Sequence, residues 1–473
     1  MKILFLEPPK DFWFLMGEYL PPPLGILELA AYIEENNEDM DIKILDCQAE
    51  GIGWSKLKKQ IESFNPDILA PSALSTCNTY TVLRSLEIAK KINPDIKTVV
   101  GGQHFTALAQ ETLEKYPEID FIIRGEGEIT LSELVKALKH EKSFYSIRGL
   151  SFKHGDKIVH NPPQSLIKNL DDLPFPAYHL VEEHMKKYNF KMMAGSAGYA
   201  LVEASRGCSH RCKFCSQWEH WGGKWRTKSS QRIADEMEYL FNEHGSSFLW
   251  LTDDNPGLGK RTSALCDELI KKGISSELMW FVQARSDDII RHEEILPKMH
   301  KAGNLWVMMG LERHDESSLE SLNKNLRPSD ANKSIDLLKK NGIFAQTTFI
   351  TGNRTDSHES MNDMREFINQ IDPDLAIFMI LTPFPGTEIY DTAKRKGWIE
   401  DYNWANYDMI HAVMPTEHLT RNEVQEELYK CYRSFYGSIK RRVTGLFSQN
   451  KFKRKTYRYM ASQGLLQSLG DLF

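Results

Sequence analysis

Leu201-Val202-Glu203-Ala204-Ser205-Arg206-Gly207-Cys208-Ser209-His210-Arg211-Cys212-Lys213-Phe214-Cys215 is the stretch from which the rest of the chain can be read. Its first four residues form a short apolar run that reads as a strand. Three cysteines then crowd into one loop at i, i+4 and i+7. That spacing lets three thiolates converge on one inorganic cluster, and thiolates suit soft iron sites. Three ligands leave one iron without a protein thiolate, and an open coordination position is what a reaction needs. Zinc is the competing metal. A closed zinc site takes four ligands, usually in two pairs. His210 or His220 would have to supply the fourth here, and no second pair follows. The remaining cysteines, 47, 77, 266 and 431, are scattered in apolar or helical contexts and read as ordinary thiols. An odd total of seven in a large chain argues against a disulfide framework.

Downstream of this loop, strand and helix signals alternate. Strands are expected at Leu201–Ala204, Phe248–Leu251, Leu278–Val282, Leu305–Gly310, Ala345–Ile350 and Leu375–Leu381, with helical stretches between them. Six such units predict a (β/α)6 partial TIM barrel, whose chemistry lies at the C-terminal strand ends. Upstream, five strand–helix units fill the first 140 residues, with strands at Ile3–Leu6, Ile42–Leu45, Ile68–Pro71, Thr98–Val100 and Phe121–Ile123. They predict a doubly wound parallel sheet of α/β class, with ligands outside its C-terminal strand ends. A hairpin at residues 147–161 and a proline-rich linker separate the two. The expected units are therefore 1–145, 146–195 (hairpin and linker), 196–398 (barrel) and 399–473 (mainly helical). Between Arg433 and Arg458 there are nine Lys or Arg and no Asp or Glu. This is either a solvated cationic surface or a docking patch for an acidic partner, a phosphate-bearing ligand or a membrane surface.

With 473 residues the chain exceeds one ordinary core. A net charge of -6 makes no global case for nucleic-acid binding. No run approaches the ~18 apolar residues that cross a bilayer, and the first residues lack the apolar region of a secretory signal, so a cytoplasmic location is expected.

The cysteine loop, Phe214 included, resembles the Cys-x3-Cys-x-aromatic-Cys hallmark of the radical S-adenosylmethionine (SAM) superfamily, placed as there after the first barrel strand. The resemblance implies a 4Fe-4S cluster on Cys208, Cys212 and Cys215, with SAM chelating the open iron and yielding a 5'-deoxyadenosyl radical. It also implies cofactor contacts at later strand ends. These are Asp253 and Asp254 after the second, Gln283 and Arg285 after the third, Glu312 after the fourth, Thr351 after the fifth and Pro383 after the sixth. One branch of that superfamily carries a cobalamin-binding domain ahead of the barrel, and the first 140 residues look like it. Histidine-ligating cobalamin domains carry Asp-x-His-x-x-Gly. Here the stretch is Asp46-Cys47-Gln48-Ala49-Glu50-Gly51, with Gln48 at the histidine position. A neutral amide is a poor cobalt ligand, so cobalamin is expected without a histidine on cobalt. Ser72 and Leu74, Gly101 and Gly102, and Glu126 and Gly127 complete the expected cobalamin contacts. No Gly-x-Gly-x-x-Gly or Walker loop opens the first helix to favour a nucleotide instead.

The branch resemblance implies a class B, cobalamin-dependent methyltransferase that works anaerobically. Methyl would pass from SAM through methylcobalamin to a substrate radical on an unactivated carbon. The alternative is an oxidative ring cyclase of the anaerobic magnesium-protoporphyrin monomethyl ester type, or another non-methylating oxidoreductase. Expected partners are an external electron donor of flavodoxin or ferredoxin type and a substrate that is a small molecule or a protein side chain, such as the glutamine of methyl-coenzyme M reductase. Trp218, Trp221 and Trp225 either line the entrance or pack the loop. No general base stands out.

Overall fold

The computed structural model describes residues 1–9, 19–73 and 75–464. The front sheet has strands β1 (Lys2–Glu7), β2 (Asp41–Asp46), β3 (Ile68–Pro71), β4 (Lys97–Val100), β5 (Phe121–Ile123), β6 (Leu150–His154) and β7 (Lys157–His160). They lie in the order β2-β1-β3-β4-β5-β6-β7. The first five are parallel, and β1, β3 and β5 are nearly continuously apolar because helices cover both faces. The order reverses between β1 and β3, which opens a crevice at their C-terminal ends. The hairpin that sequence placed in the linker joins this sheet, with β6 antiparallel to β5 and β7 antiparallel to β6. Its local signal gave a hairpin but no pairing partner. The edge of β5 supplied one, since an unpaired strand edge is a liability.

The second sheet has strands β8 (Gly198–Val202), β9 (Ser246–Leu251), β10 (Met279–Ala284), β11 (Asn304–Glu312), β12 (Phe344–Thr351) and β13 (Leu375–Ile380), all parallel and in sequence order. This is a six-stranded partial barrel. Its concave face is packed with rings rather than hollow. Trp250 stacks on Phe281 at 4.9 Å, and Phe281 on Trp306 at 3.9 Å. A short antiparallel ribbon of Tyr19–Leu20 with Asn189–Phe190 caps these rings, Phe190 lying 5.6 Å from Trp306.

An open barrel leaves two strand edges with unpaired backbone groups, and buried tyrosines close both. At β8, Tyr178 Oη donates to Leu201 O at 2.7 Å and accepts from Leu201 N at 3.3 Å. At β13, Tyr432 Oη donates to Phe378 O at 2.9 Å and accepts from Phe378 N at 3.1 Å. Tyr436 does the same for Ala376, at 2.7 and 3.4 Å. Both belong to the helix Arg421–Tyr436. Burial drives all three hydroxyls well above the usual tyrosine range, so they stay protonated donors.

The last helix, Lys451–Ser462, docks on the N-terminal ends of β12 and β13. Tyr457 Oη donates to Asp374 O at 2.9 Å, Lys453 pairs with Asp374 at 2.6 Å, and Asn450 donates to Gly342 O at 3.0 Å. Part of the basic tail is thus spent on internal contacts. Among the described residues no helix is long and apolar enough to cross a membrane.

Removing one edge-capping hydroxyl strands a buried N–H and a buried C=O together. Tyr432→Phe should lower unfolding stability by about 2 kcal/mol, read as a shift of the urea midpoint.

Candidate functional site

The cysteine loop is held at both ends before the cysteines begin. Asp253, following β9, is fully buried, and its Oδ1 accepts from Ala204 N at 2.7 Å and Ser205 N at 2.8 Å. Ser205–Arg206 then pairs antiparallel with Arg226–Thr227, closing residues 207–225 into an excursion. Gly207 sits at φ +82°, where an added Cβ would stand 2.1 Å from Lys224 O, so only glycine makes this turn. Inside the loop, Cys215 N donates to Cys212 O at 3.1 Å and Trp218 Nε1 to the same oxygen at 3.0 Å. From the barrel side, Lys213 N donates to Leu322 O at 3.0 Å and Asn323 Nδ2 to Arg211 O at 2.6 Å. All three thiols are free, with Cys212 buried and the others half-buried. Burial pushes each thiol up, Cys215 to about 12, while the Lys324 and Arg285 charges oppose burial at Cys212. Iron binding removes those protons. Among the described residues no three His, Cys, Asp or Glu side chains surround a single ion. Three free thiols on one pinned loop are a donor set that fits a cluster with an open iron.

Of the barrel-end residues, Asp253 and Asp254 contact the start of this loop directly. Asp254 accepts from Gly207 N and from Trp221. Burial first, then Asp253 and Glu203, pushes its carboxyl up to about 7. Arg285 grips Asp287 at 2.9 Å and the carbonyls of Lys324 and Asn325 at 3.3 and 2.9 Å. Glu312 is a non-glycine residue at φ +64°, on an irregularity of β11 where the register with β12 shifts between Gly310 and Glu312. Such strain persists only where the surroundings impose it. Its carboxylate is held by Lys324, at 2.8 Å from Oε1. Gln283 is half-buried on β10, opposite Met308. Thr351 and Pro383 are sealed, and the Thr351 hydroxyl is spent on Met379 O at 3.2 Å. Asp253 Oδ2 is buried without a hydrogen-bond partner. Of the tryptophans, Trp218 and Trp221 pack the loop, and Trp225 donates to Asn255 O at 2.8 Å while remaining 42% exposed.

On the front sheet, Asp46 ends β2 and caps the short helix Cys47–Glu50, accepting from Gln48 N at 3.0 Å and Ala49 N at 2.9 Å. Its other oxygen accepts from Tyr188 Oη at 3.1 Å. Gly51 ends that helix at φ +64°. The Gln48 amide donates to Pro8 O at 3.3 Å. Ser72 N donates to Leu6 O at 2.7 Å at the crossover between β1 and β3. Gly102, at φ +82°, lies so close to the Ser72–Ala73 segment that an added Cβ would stand 2.8 Å from Ala73 O, and one on Gly101 would be 3.2 Å from Ile123 O. The strand ends therefore form a shelf of bare backbone. Leu74 falls outside the described residues.

Glu126 and Gly127 serve a different contact. Gly127 packs against Leu29. Both oxygens of Glu126 are committed, Oε1 to Arg206 at 3.0 Å and Arg226 at 2.7 Å, and Oε2 to Ile167 N at 2.7 Å. Arg206, 2% exposed, also meets Glu128 at 2.7 Å, Glu203 at 2.7 Å and Glu28 at 3.4 Å. Glu28, Glu126 and Glu128 come from the front domain, whereas Arg206 lies two residues before Cys208. Burial works to raise Glu128, but Arg206 brings it below the usual carboxylate range. Glu28, further from the guanidinium, is driven well above that range by burial and by Glu203. A second bridge lies on the other side of the cysteine loop, where Ser216 Oγ donates to Gln103 Oε1 at 2.7 Å. Gln103 follows Gly101-Gly102, and Ser216 follows Cys215. The sequence reading missed Arg206, Arg226, Lys324 and Gln103. Arg206 was flagged only by adjacency to Gly207-Cys208, and Lys324 by nothing local.

Comparison with known proteins agrees with this geometry. The B12 binding domain family matches residues 17–135, and the Radical SAM superfamily matches residues 202–368. An uncharacterized methyltransferase of Pyrococcus horikoshii is 33% identical over 99% of this chain and 98% of its own length. The anaerobic magnesium-protoporphyrin IX monomethyl ester cyclase of Rubrivivax gelatinosus is 29% identical over 96% of this chain and 80% of its own. The radical SAM methyltransferase TsrM of Kitasatospora setae, solved with cobalamin and a 4Fe-4S cluster, superposes with a TM-score of 0.72 over 100% of this chain and 99% of its own, at 16% identity. The chain belongs to the cobalamin-dependent radical SAM enzymes, the family of methyltransferases that also includes that cyclase. Its cofactors are accordingly a 4Fe-4S cluster, SAM and cobalamin.

Two outcomes follow. Arg206→Met leaves Glu126, Glu128 and Glu203 buried without their shared cation. It should cost at least about 3 kcal/mol in urea unfolding, with Arg206→Lys falling between it and wild type. Burial first, with Glu7 adding to it, holds Asp46 up at about 6, above its unfolded value. Its contribution to folding is therefore present below about pH 4 and is lost as pH rises through about 6. The unfolding free energy of the cofactor-free protein, from urea titrations at those pH values, should fall between them by on the order of 3 kcal/mol relative to Asp46→Asn, which keeps the capping oxygen.

Proposed function

We propose that this chain is a methyltransferase that places a methyl group from SAM on an unactivated carbon. The observation that carries this reading is the Gln103–Ser216 bridge, which joins the glycine shelf of the front sheet directly to the cysteine loop. A chain built to hold the two cofactor-binding regions against each other is a chain whose reaction uses both. When bound, the cluster supplies the electron that turns SAM into a hydrogen-abstracting radical, and cobalamin carries the methyl group.

The protein's own residues hold, orient and exclude water. Cys208, Cys212 and Cys215 would hold the cluster, with Lys324 and Arg285 offsetting the negative charge gathered there. Asp254, Arg285, Glu312 and Gln283 line the region where the polar ends of SAM would lie. Ser72, Gly101 and Gly102 would let cobalamin approach bare backbone. Asp46 is fully engaged by its helix cap and Tyr188, so it has no free oxygen to orient an imidazole, which fits Gln48 at that position and a cobalt without a histidine ligand. The 98% length match to a methyltransferase, against 80% to the cyclase, supports methylation over ring closure. The acceptor is a small molecule or a protein side chain of the glutamine type, and the electron donor is a flavodoxin or ferredoxin.

The test is anaerobic turnover with methyl-labelled SAM and extracts divided into small molecules and proteins. Mass spectrometry should find the label in a product, together with one deoxyadenosine per product formed. A product that is oxidised but unlabelled overturns methylation in favour of the cyclase type of reaction.

A further inference from the structure

The helix Ile439–Leu446 is mounted inside out. The face it turns to the protein is Arg441 and Gly445. Arg441 is 8% exposed, pairs with Asp372 at 2.8 Å, and donates to Asn369 Oδ1 at 3.1 Å and Phe435 O at 2.8 Å. Gly445 lies flat on the Tyr457 ring, where no Cβ would fit. The face it turns outward is apolar. Ile439 is 76% exposed, Val443 49% and Phe447 74%. At i, i+4 and i+8 these three form one stripe along the helix. Lys440 and Arg442 flank it on either side. The stretch from Arg433 to Arg458 holds nine cations and no acid; Arg441 and Lys453 are spent on Asp372 and Asp374, while Lys440, Lys451 and Arg458 are exposed.

We propose that this stripe docks the enzyme on an anionic lipid surface. Three side chains in a line offer far less than the ~800 Å² per partner of a stable protein interface. They do suit shallow insertion at the headgroup boundary, with flanking cations on lipid charge. The position also argues against an acidic electron-donor protein. Asp372 and Asn369 lie before β13, at the N-terminal end of the barrel, and the cysteine loop lies at the other. The eight residues of β12 alone span about 26 Å between those ends. Docking through the stripe leaves the cofactor mouth facing away from the membrane and open to a water-borne substrate and donor.

The experiment is flotation of the cluster-loaded full chain with vesicles of phosphatidylcholine alone or with added phosphatidylglycerol. Wild type should partition at least about tenfold more into the anionic vesicles, and lose that preference near ~1 M salt, where the screening length falls to about 3 Å. The combined variant Ile439→Ser, Val443→Ser, Phe447→Ser should lose the binding while keeping its iron–sulfur absorbance and sedimentation. Lys440→Glu should weaken it in the same direction. The proposal is overturned if wild type floats with neither vesicle or the triple serine variant floats as well as wild type. It is overturned equally if wild type is a dimer that the variant splits, which would make a second copy the occupant. Flotation only of a chain ending at Gly464 also overturns it, making the chain's own last residues the occupant.

Discussion

A single buried guanidinium sets the relation between the two halves of this enzyme. Arg206 is placed by the first barrel strand and the ribbon that follows it, and it is ringed by carboxylates from the front domain and from the barrel. A desolvated cation of this kind is stable only with its acids in place, and the acids only with the cation. Neither domain therefore presents a low-energy surface here without the other. Arg226 shares Glu126, and Lys228 pairs with Glu236 at 2.9 Å close by, so the charges of both signs are interleaved. Glu28 touches Arg206 at 3.4 Å, yet burial and the neighbouring Glu203 outweigh that charge and hold it toward its neutral form.

The cysteine loop inherits its position from this arrangement. Arg206 anchors its start, Asp253 holds the two backbone N–H groups before that, and Gly207 makes the turn that no other residue can make. On the far side the loop is tied to the front domain again through Ser216 and Gln103. Three cysteines on a free loop would sample many separations. Fixed at both ends, they follow the first barrel strand, with Ser216 beside them tied to Gln103, the residue after Gly101-Gly102. Lys324 and Arg285 add positive charge where the thiolates and cluster bring negative charge.

The barrel itself is kept open by the same economy of buried polar groups. Its two edges would invite pairing with other strands, and Tyr178, Tyr432 and Tyr436 satisfy them with hydroxyls instead. A hydroxyl both donates and accepts, so one tyrosine closes a neighbouring N–H and C=O together. The linker supplies one edge cap and the C-terminal helix the other, which explains why a partial barrel needs both flanking segments.

Much of this was legible from residues alone. Strand and helix periodicity located all thirteen strands of the two sheets, because apolar runs bounded by turn residues are a local property. The cysteine spacing identified the metal chemistry for the same reason, as three ligands within eight residues need no tertiary information to be neighbours. The partnership of β5 with the later hairpin, the committal of Glu126 to Arg206 and Arg226, and the pairing of Glu312 with Lys324 were not legible. Each joins residues distant in the chain or placed by packing, and no single sequence records which distant charge will be desolvated beside which. The sequence by itself determined the elements, their order and the cysteine loop. The tertiary structure alone decided which acids are spent holding the two domains together, because that choice depends on burial and on the position of one arginine.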